Sequence, residues 1–211
     1  AEYRGAPVGS HGPPAVFAFY PNKQMTTGEG GVVTTHSEEE WRLLRSLRNQ
    51  GRADSGGWLE HARLGYNYRL DDIRAAVGIG QLEKLDRMLE LRREAAARYR
   101  YLLRDVDVEP LLADDSEHVR SWFVYVVKLP AGADREAVIA SLERDGVQSA
   151  RYLPCIHLQP YMRERYGFAE GLCPIAEDAS RRTLALPFHT AIEPAAQERV
   201  AAALASALAA A

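Results

Sequence analysis

Apolar positions along this chain follow two different periods. Residues 15–20 (AVFAFY) are almost uniformly apolar and aromatic, and 31–35 (GVVTT) form a short β-branched run, so both predict strands with a polar loop between them. From residue 37 the period lengthens. Ser37 and Glu40 have capping-box spacing, and Trp41, Leu44 and Leu47 then recur at helical intervals, predicting an amphipathic helix over 37–49 that Gly51 ends. Residues 51–66, with a lone Trp58, lose any period and predict a long connection of the kind that often carries function. Asp71 and Asp72 open the next helical pattern, whose stripe runs Leu82, Leu85, Leu89, Ala96, Tyr99 and Leu103. This is one long helix or two in succession. Gly78 and Gly80 lower helix propensity by roughly 1 kcal/mol each, so either a neighbouring element comes close there or the helix bends. Glu83 with Arg87 and Glu94 with Arg98 stand four apart on the solvated face and need no further role.

Beyond Leu112 the pattern becomes that of a smaller α/β unit. "SWFVYVVKL" (121–129) is apolar at nearly every position, as in a strand covered on both faces. Asp134 caps a helix through Val138, Ile139 and Leu142, and Gly146 stops it. Residues 147–153 predict a strand, 155–175 an irregular segment, 176–183 a short helix, and 184–188 an extended piece interrupted by Pro187. Pro194 suits the first turn of a final alanine-rich helix with Val200, Leu204 and Leu208 inward. The domain boundary falls near 104–115, giving domains 1–108 and 109–211, and no internal repeat is present.

Composition narrows the classes. A chain of 211 residues can bury a real core in one or two domains, and it lacks the run of ~20 apolar residues a bilayer span requires. A net charge of -3 provides no global field to favour nucleic acid. Cys155 and Cys173 are too few and too far apart for a redox pair or a disulfide framework, which fits a reducing cytoplasm. His11, His36, His61, His118 and His189 show no ligand spacing, so no metal is assigned. The opening "AEYRGAPVGSHGPP" carries no initiator Met and no targeting pattern, and reads as the inside of a larger protein.

The chemistry centres on Lys23 in "FAFYPNKQMTTGEGGVV" (17–33). Most lysines are solvated and carry no chemistry. Here Phe17, Phe19 and Tyr20 would desolvate an ammonium nearby and lower its pKa, making the amine a nucleophile for carbonyls. Thr26, Thr27, Gly28, Gly30 and Gly31 either admit a ligand close to the backbone or simply meet the needs of a hairpin turn.

This segment resembles the lysine segment of the DegT/StrS family of pyridoxal-phosphate-dependent sugar-nucleotide aminotransferases. Further similar stretches occur in the family's order: "LRNQGR" (47–52), "LGYNYRLDDIRAAVGIGQLEKLD" (64–86), "RREAAARYRYLL" (92–103), "CIHLQPY" (155–161) and "CPIAEDASRRTLALPFH" (173–189). The resemblance implies an α/β fold of aspartate-aminotransferase type: a mostly parallel sheet flanked by helices, here an incomplete large domain, plus a small C-terminal α/β domain. It implies pyridoxal 5'-phosphate as cofactor and Lys23 as the Schiff-base lysine that also moves the proton. Asn67 would reach across a homodimer interface to the neighbour's cofactor phosphate, although Tyr66, Asn67 and Tyr68 read equally as a turn. Arg69 would meet a phosphate or sit in a surface salt bridge. Tyr66 and His157 would face the sugar, and a hydrogen-bonded structural role for His157 is the alternative. The implied partners are a nucleotide-linked keto sugar, or a related cyclitol, and glutamate or glutamine as amino donor, with neither nucleic acid nor membrane.

Two departures qualify the resemblance. Ala18 stands where the family commonly has a phosphate-binding Ser. The family's N-terminal segment, with its phosphate turn, ring-stacking aromatic and pyridine-pairing Asp, has no counterpart here, and "AEYRG" resembles the stretch just downstream of that Asp. The 211 residues alone are therefore expected to neither hold the cofactor tightly nor transaminate, and to leave strand edges open. A sugar dehydratase of the same fold would carry His in place of Lys23, and a non-catalytic dimerising relative is the other rival.

Overall fold

The structure, a computed structural model, describes residues 1–54, 57, 59–110 and 114–210; Trp58 and Leu112 lie outside them. The chain carries β1 (Glu2–Tyr3), β2 (Ala6–Pro7), β3 (Ala15–Ala18), β4 (Gly31–Thr34), α1 (Glu38–Arg48), α2 (Asp72–Leu82) and α3 (Leu85–Leu102). These precede β5 (Glu109–Pro110), β6 (His118–Val119), β7 (Tyr125–Lys128), α4 (Arg135–Arg144) and β8 (Ala150–Arg151). A 3-10 turn (Ile156–Leu158), α5 (Pro160–Tyr166), α6 (Pro174–Arg182), β9 (Thr183–Leu186) and α7 (Pro194–Ala210) complete the order. Two compact units result: Ala1–Arg87 with Asp114–Ser121, and the residues from Met88 onward apart from that segment. The sequence boundary at 108/109 falls within the second of these units, whose core takes Ala96 and Tyr99 from α3 and Leu103 just beyond it.

In the first unit, β3 and β4 pair antiparallel from Ala15↔Thr34 to Ala18↔Gly31. The short hairpin β1–β2 adds β6 on its other side in a second sheet. A mostly parallel sheet is implied by the resemblance, yet every strand pair among the described residues is antiparallel. The two-residue link of the β1–β2 hairpin permits no other pairing, whereas β7–β9 and β8–β9 are antiparallel although helices intervene. The Ser37 hydroxyl caps α1 by accepting from Glu40 N–H at 3.2 Å. The reciprocal half of the box is altered: the Glu40 carboxylate takes the Thr35 hydroxyl, and Ser37 N–H donates to Thr35 Oγ1 at 3.1 Å. Asp71 caps α2 by accepting from Arg74 N–H at 2.9 Å. The stripe makes two helices, with a break at residues 83–84. Gly78 marks the close approach, since a Cβ there would lie 3.1 Å from Thr27 Cγ2, whereas Gly80 faces open space.

The second unit holds a four-stranded antiparallel sheet in the order β5-β7-β9-β8. Central β7 buries Tyr125, Val126 and Val127, consistent with a strand covered on both faces. Its core takes Tyr99 from α3, Val138 and Leu142 from α4, and Val200 and Leu204 from α7. Fully buried Gln197 joins α7 to α3, donating to Ala95 O at 2.9 Å and accepting from Arg98 Nη1 at 2.7 Å. Tyr99 OH donates to Pro187 O at 2.8 Å, tying α3 to the exit of β9. Residues 155–175 are not irregular throughout. Pro160 starts α5 and Gly167, at φ 68°, ends it, but seven residues are too few to show a period. Burial is uneven: every buried hydrophobic side chain among the described residues belongs to the second unit. No helix among them is long and apolar enough to cross a membrane.

Candidate functional site

Lys23 closes a β-turn. Its N–H donates to Tyr20 O at 3.0 Å, with Pro21 and Asn22 at the central positions, where the fixed φ of proline favours the bend. The turn lies in the loop that follows β3 and leaves Lys23 half-buried. The remainder of the loop is held by its own hydroxyls. Thr26 Oγ1 donates to Phe19 O at 3.0 Å and accepts from Gly28 N–H at 2.9 Å, while Thr27 Oγ1 donates to Glu29 O at 2.7 Å. A Cβ on Gly30 would lie 2.5 Å from Thr27 Oγ1, and one on Gly31 2.9 Å from Phe17 O. These threonines and glycines thus satisfy the loop's own fold, the hairpin side of the two sequence readings. The aromatic shield is partial: Phe17 is 39% exposed and Tyr20 50%, and the Phe17 ring lies against Gly9.

Two neighbours not singled out from the sequence anchor the loop. Gln24 Nε2 donates to Ser121 O at 2.6 Å and to Ser121 Oγ at 2.7 Å, and Thr26 N–H donates to Gln81 Oε1 at 3.3 Å. The adjacency of Gln24 to Lys23 was the available signal; nothing in the pattern pointed to Ser121.

Asn67 sits in a segment laid along the end of α1. Tyr66 N–H donates to Leu47 O at 2.7 Å, Gln50 N–H to Tyr66 O at 2.8 Å and Tyr68 N–H to Arg48 O at 2.9 Å. Alternation then places Tyr66 and Tyr68 on one side, their rings stacked at 4.9 Å, and the Asn67 amide is exposed. Arg69 Nη1 donates to Asn49 Oδ1 at 2.7 Å. Where 47–51 and 62–68 cross, Gly51 and Gly65 meet: a Cβ on Gly51 would fall 1.8 Å from Arg63 O, and one on Gly65 2.1 Å from Gly51 N. Ala18, the position of the missing Ser, is exposed and ends β3.

In the second unit, His157 Nε2 lies 2.9 Å from Glu177 Oε1, with side chains 12% and 5% exposed. Glu177 also accepts from Gly171 N–H with both oxygens, at 3.0 and 2.9 Å, and from Cys173 N–H at 3.1 Å. The Gly171 N–H, then His157, then the Cys173 N–H favour its charged form and hold its pKa down at about 2. The hydrogen-bonded reading of His157 is thereby satisfied. Because the carboxyl's folded pKa lies below its unfolded value near 4.5, its contribution is present above that value and lost as pH falls towards about 2. The thermal midpoint of the second unit is expected to drop between pH 4.5 and pH 2 more steeply in the wild type than in Glu177→Gln. Parallel acid profiles would remove this role.

A cavity of about 470 Å³ in the second unit, between Ile139, Ser149 and Leu186, includes none of these candidates. No cluster among the described residues has the makings of a metal site. The donor set suits a carbonyl cofactor carrying a phosphate: one primary amine on a turn, and an exposed amide able to donate to phosphate oxygen.

Comparison with known proteins points the same way. The DegT/DnrJ/EryC1/StrS aminotransferase family matches residues 1–205. The spore coat polysaccharide biosynthesis protein SpsC of Bacillus subtilis (strain 168) is 32% identical over 89% of this chain and 51% of its own length. Among solved structures, the aminotransferase TlmJ from Streptoalloteichus hindustanus is 29% identical with a TM-score of 0.88, covering 99% of this chain and 56% of TlmJ. PseC of Helicobacter pylori, an aminotransferase involved in the biosynthesis of pseudoaminic acid, is 25% identical with a TM-score of 0.90, covering 99% of this chain and 57% of PseC. The chain spans about half the length of these relatives.

Proposed function

This chain belongs to the DegT/DnrJ/EryC1/StrS aminotransferase family, and from that membership we propose that the protein exchanges the keto group of a nucleotide-linked sugar, or a related cyclitol, for an amine taken from glutamate or glutamine. Its fold is the pyridoxal-phosphate-dependent transferase fold of aspartate-aminotransferase type, and its cofactor is pyridoxal 5'-phosphate. When bound, the cofactor supplies an electron sink for the carbon that gains or loses the amine.

Each residue's role follows from its setting. Lys23 would hold the cofactor through its side-chain amine, and the same Nζ would carry the proton to and from the substrate carbon. Asn67 donates its exposed amide to the phosphate held by a second copy, so the working unit is a homodimer. Tyr66, Arg69 and His157 are assigned to the substrate, each already fixed by a neighbour: Tyr68, Asn49 and Glu177 respectively. The setting is the cytoplasm.

One observation supports the reading most: within a family-matching chain, the lysine closes a proline turn with its side chain half-buried. The test uses the full-length polypeptide that contains this chain, loaded with pyridoxal phosphate. Wild type is expected to show the absorbance band of a lysine-bound cofactor and to convert glutamate to 2-oxoglutarate with nucleotide ketosugars. Lys23→Ala is expected to lose both, with turnover down at least ~10³-fold. Survival of band and turnover in that variant would refute the assignment.

A further inference from the structure

We propose that Gln24 is a positioning residue for Lys23, fastening the lysine turn to the returning segment 114–121 through Ser121. The inference rests on the reading of Lys23 given above. Four observations within the first unit support it. Ser121 O can only accept, so the atom 2.6 Å from it must be the amide nitrogen of Gln24, which fixes the orientation of that side chain. The second hydrogen of the same nitrogen goes to Ser121 Oγ at 2.7 Å, so both donors are used on one residue. Lys23 is held on its other side by the bond from its own N–H to Tyr20 O. Its α-carbon therefore lies between two anchors, one before it and one directly after it. Gln81 of α2 adds a third at Thr26 N–H.

The chemistry needs this. A covalent step at Nζ depends on delivering the amine to one carbon with little freedom, and a turn released on one side spreads the amine over more positions. Ser121 is also the last residue of its segment before the chain enters the second unit at Trp122, which stacks on Tyr125 at 5.9 Å in that unit's core. A backbone change at 121 thus reaches Lys23 through a single side chain.

The lysines of the chain make the test internal, because Lys84 and Lys128 serve as references on the same molecule. The full-length polypeptide is treated briefly with pyridoxal 5'-phosphate, adducts are fixed with borohydride, and peptide mapping counts label at each lysine. Wild type is expected to label Lys23 well ahead of Lys84. Gln24→Leu is expected to lower the Lys23:Lys84 ratio roughly fivefold, the effect of losing a hydrogen-bonded anchor, with an unchanged thermal midpoint and faster amide exchange across 21–28. Ser121→Ala keeps the bond to Ser121 O and should lower the ratio less. The double variant should match Gln24→Leu alone, since both act through one contact. An unchanged ratio and unchanged exchange in Gln24→Leu, with wild-type Lys23 still preferred, would overturn the positioning role and leave the function standing. Wild-type Lys23 labelled no faster than Lys84 would overturn both.

Discussion

Gly65→Ala is expected to unfold the first unit while leaving the second unit folded. The added methyl group would lie 2.1 Å from Gly51 N and 2.7 Å from Gln50 C, backbone atoms held by their own hydrogen bonds and unable to rotate aside. Relief requires the two strands of the crossing to separate. That would break the bonds from Tyr66 N–H to Leu47 O, Gln50 N–H to Tyr66 O and Ala62 N–H to Gly51 O, all between 2.7 and 2.8 Å. Three lost bonds at ~1 kcal/mol each put the cost near 3 kcal/mol, beyond what an ordinary surface substitution does. Few apolar contacts elsewhere in this unit offset it. Limited proteolysis should cut the variant between 49 and 70 at once while 122–210 stays protected. Equal resistance in variant and wild type would show that the crossing yields without cost.

Leu204→Ala is expected to destabilise the second unit by about 3 kcal/mol, within the ~2–5 kcal/mol range for truncating a fully buried leucine. Leu204 is completely buried on α7 in the cluster that holds Val138, Leu142 and Leu184. Ile73→Ala is the matched control: Ile73 is 80% exposed on α2 and should change stability by no more than ~0.5 kcal/mol. Urea titration, followed by hydrogen exchange at β7 and β9 for Leu204→Ala and at α2 for Ile73→Ala, separates the two cases. Similar shifts in both variants would contradict the uneven burial.

Much of the second unit was legible in the sequence. Of the apolar run at 121–129, Tyr125–Lys128 form an inner strand while 121–124 do not, Asp134 capped α4 by accepting from two backbone N–H groups, and Pro194 began α7 with Val200 and Leu204 inward. Period carries this information wherever an element buries one face on its own unit. α5 escaped because two turns show no stripe, although Pro160 and Gly167 marked its ends. The boundary at 108 missed the return of 114–121, since strand addition by His118 and Val119 to β1 leaves no local mark.

At the candidate site the lysine, the glycines and the Asn67 segment were visible as motifs, but the contacts that fix them were not. Gln24 reaches Ser121 across ninety-seven positions, and His157 reaches Glu177 across twenty. Such contacts are set by tertiary placement, which no local spacing encodes. The same holds for Gly51 and Gly65: each reads as a loop residue, and only their crossing shows why no larger residue fits.

Among the described residues, the buried apolar side chains begin at Ala95 and close with Ala207. During synthesis on the ribosome, the lysine-bearing unit is made before the core of the second unit, which cannot close until α7 is complete. Between these two units packing therefore runs against the direction of translation, and the lysine turn is made before the second unit can close.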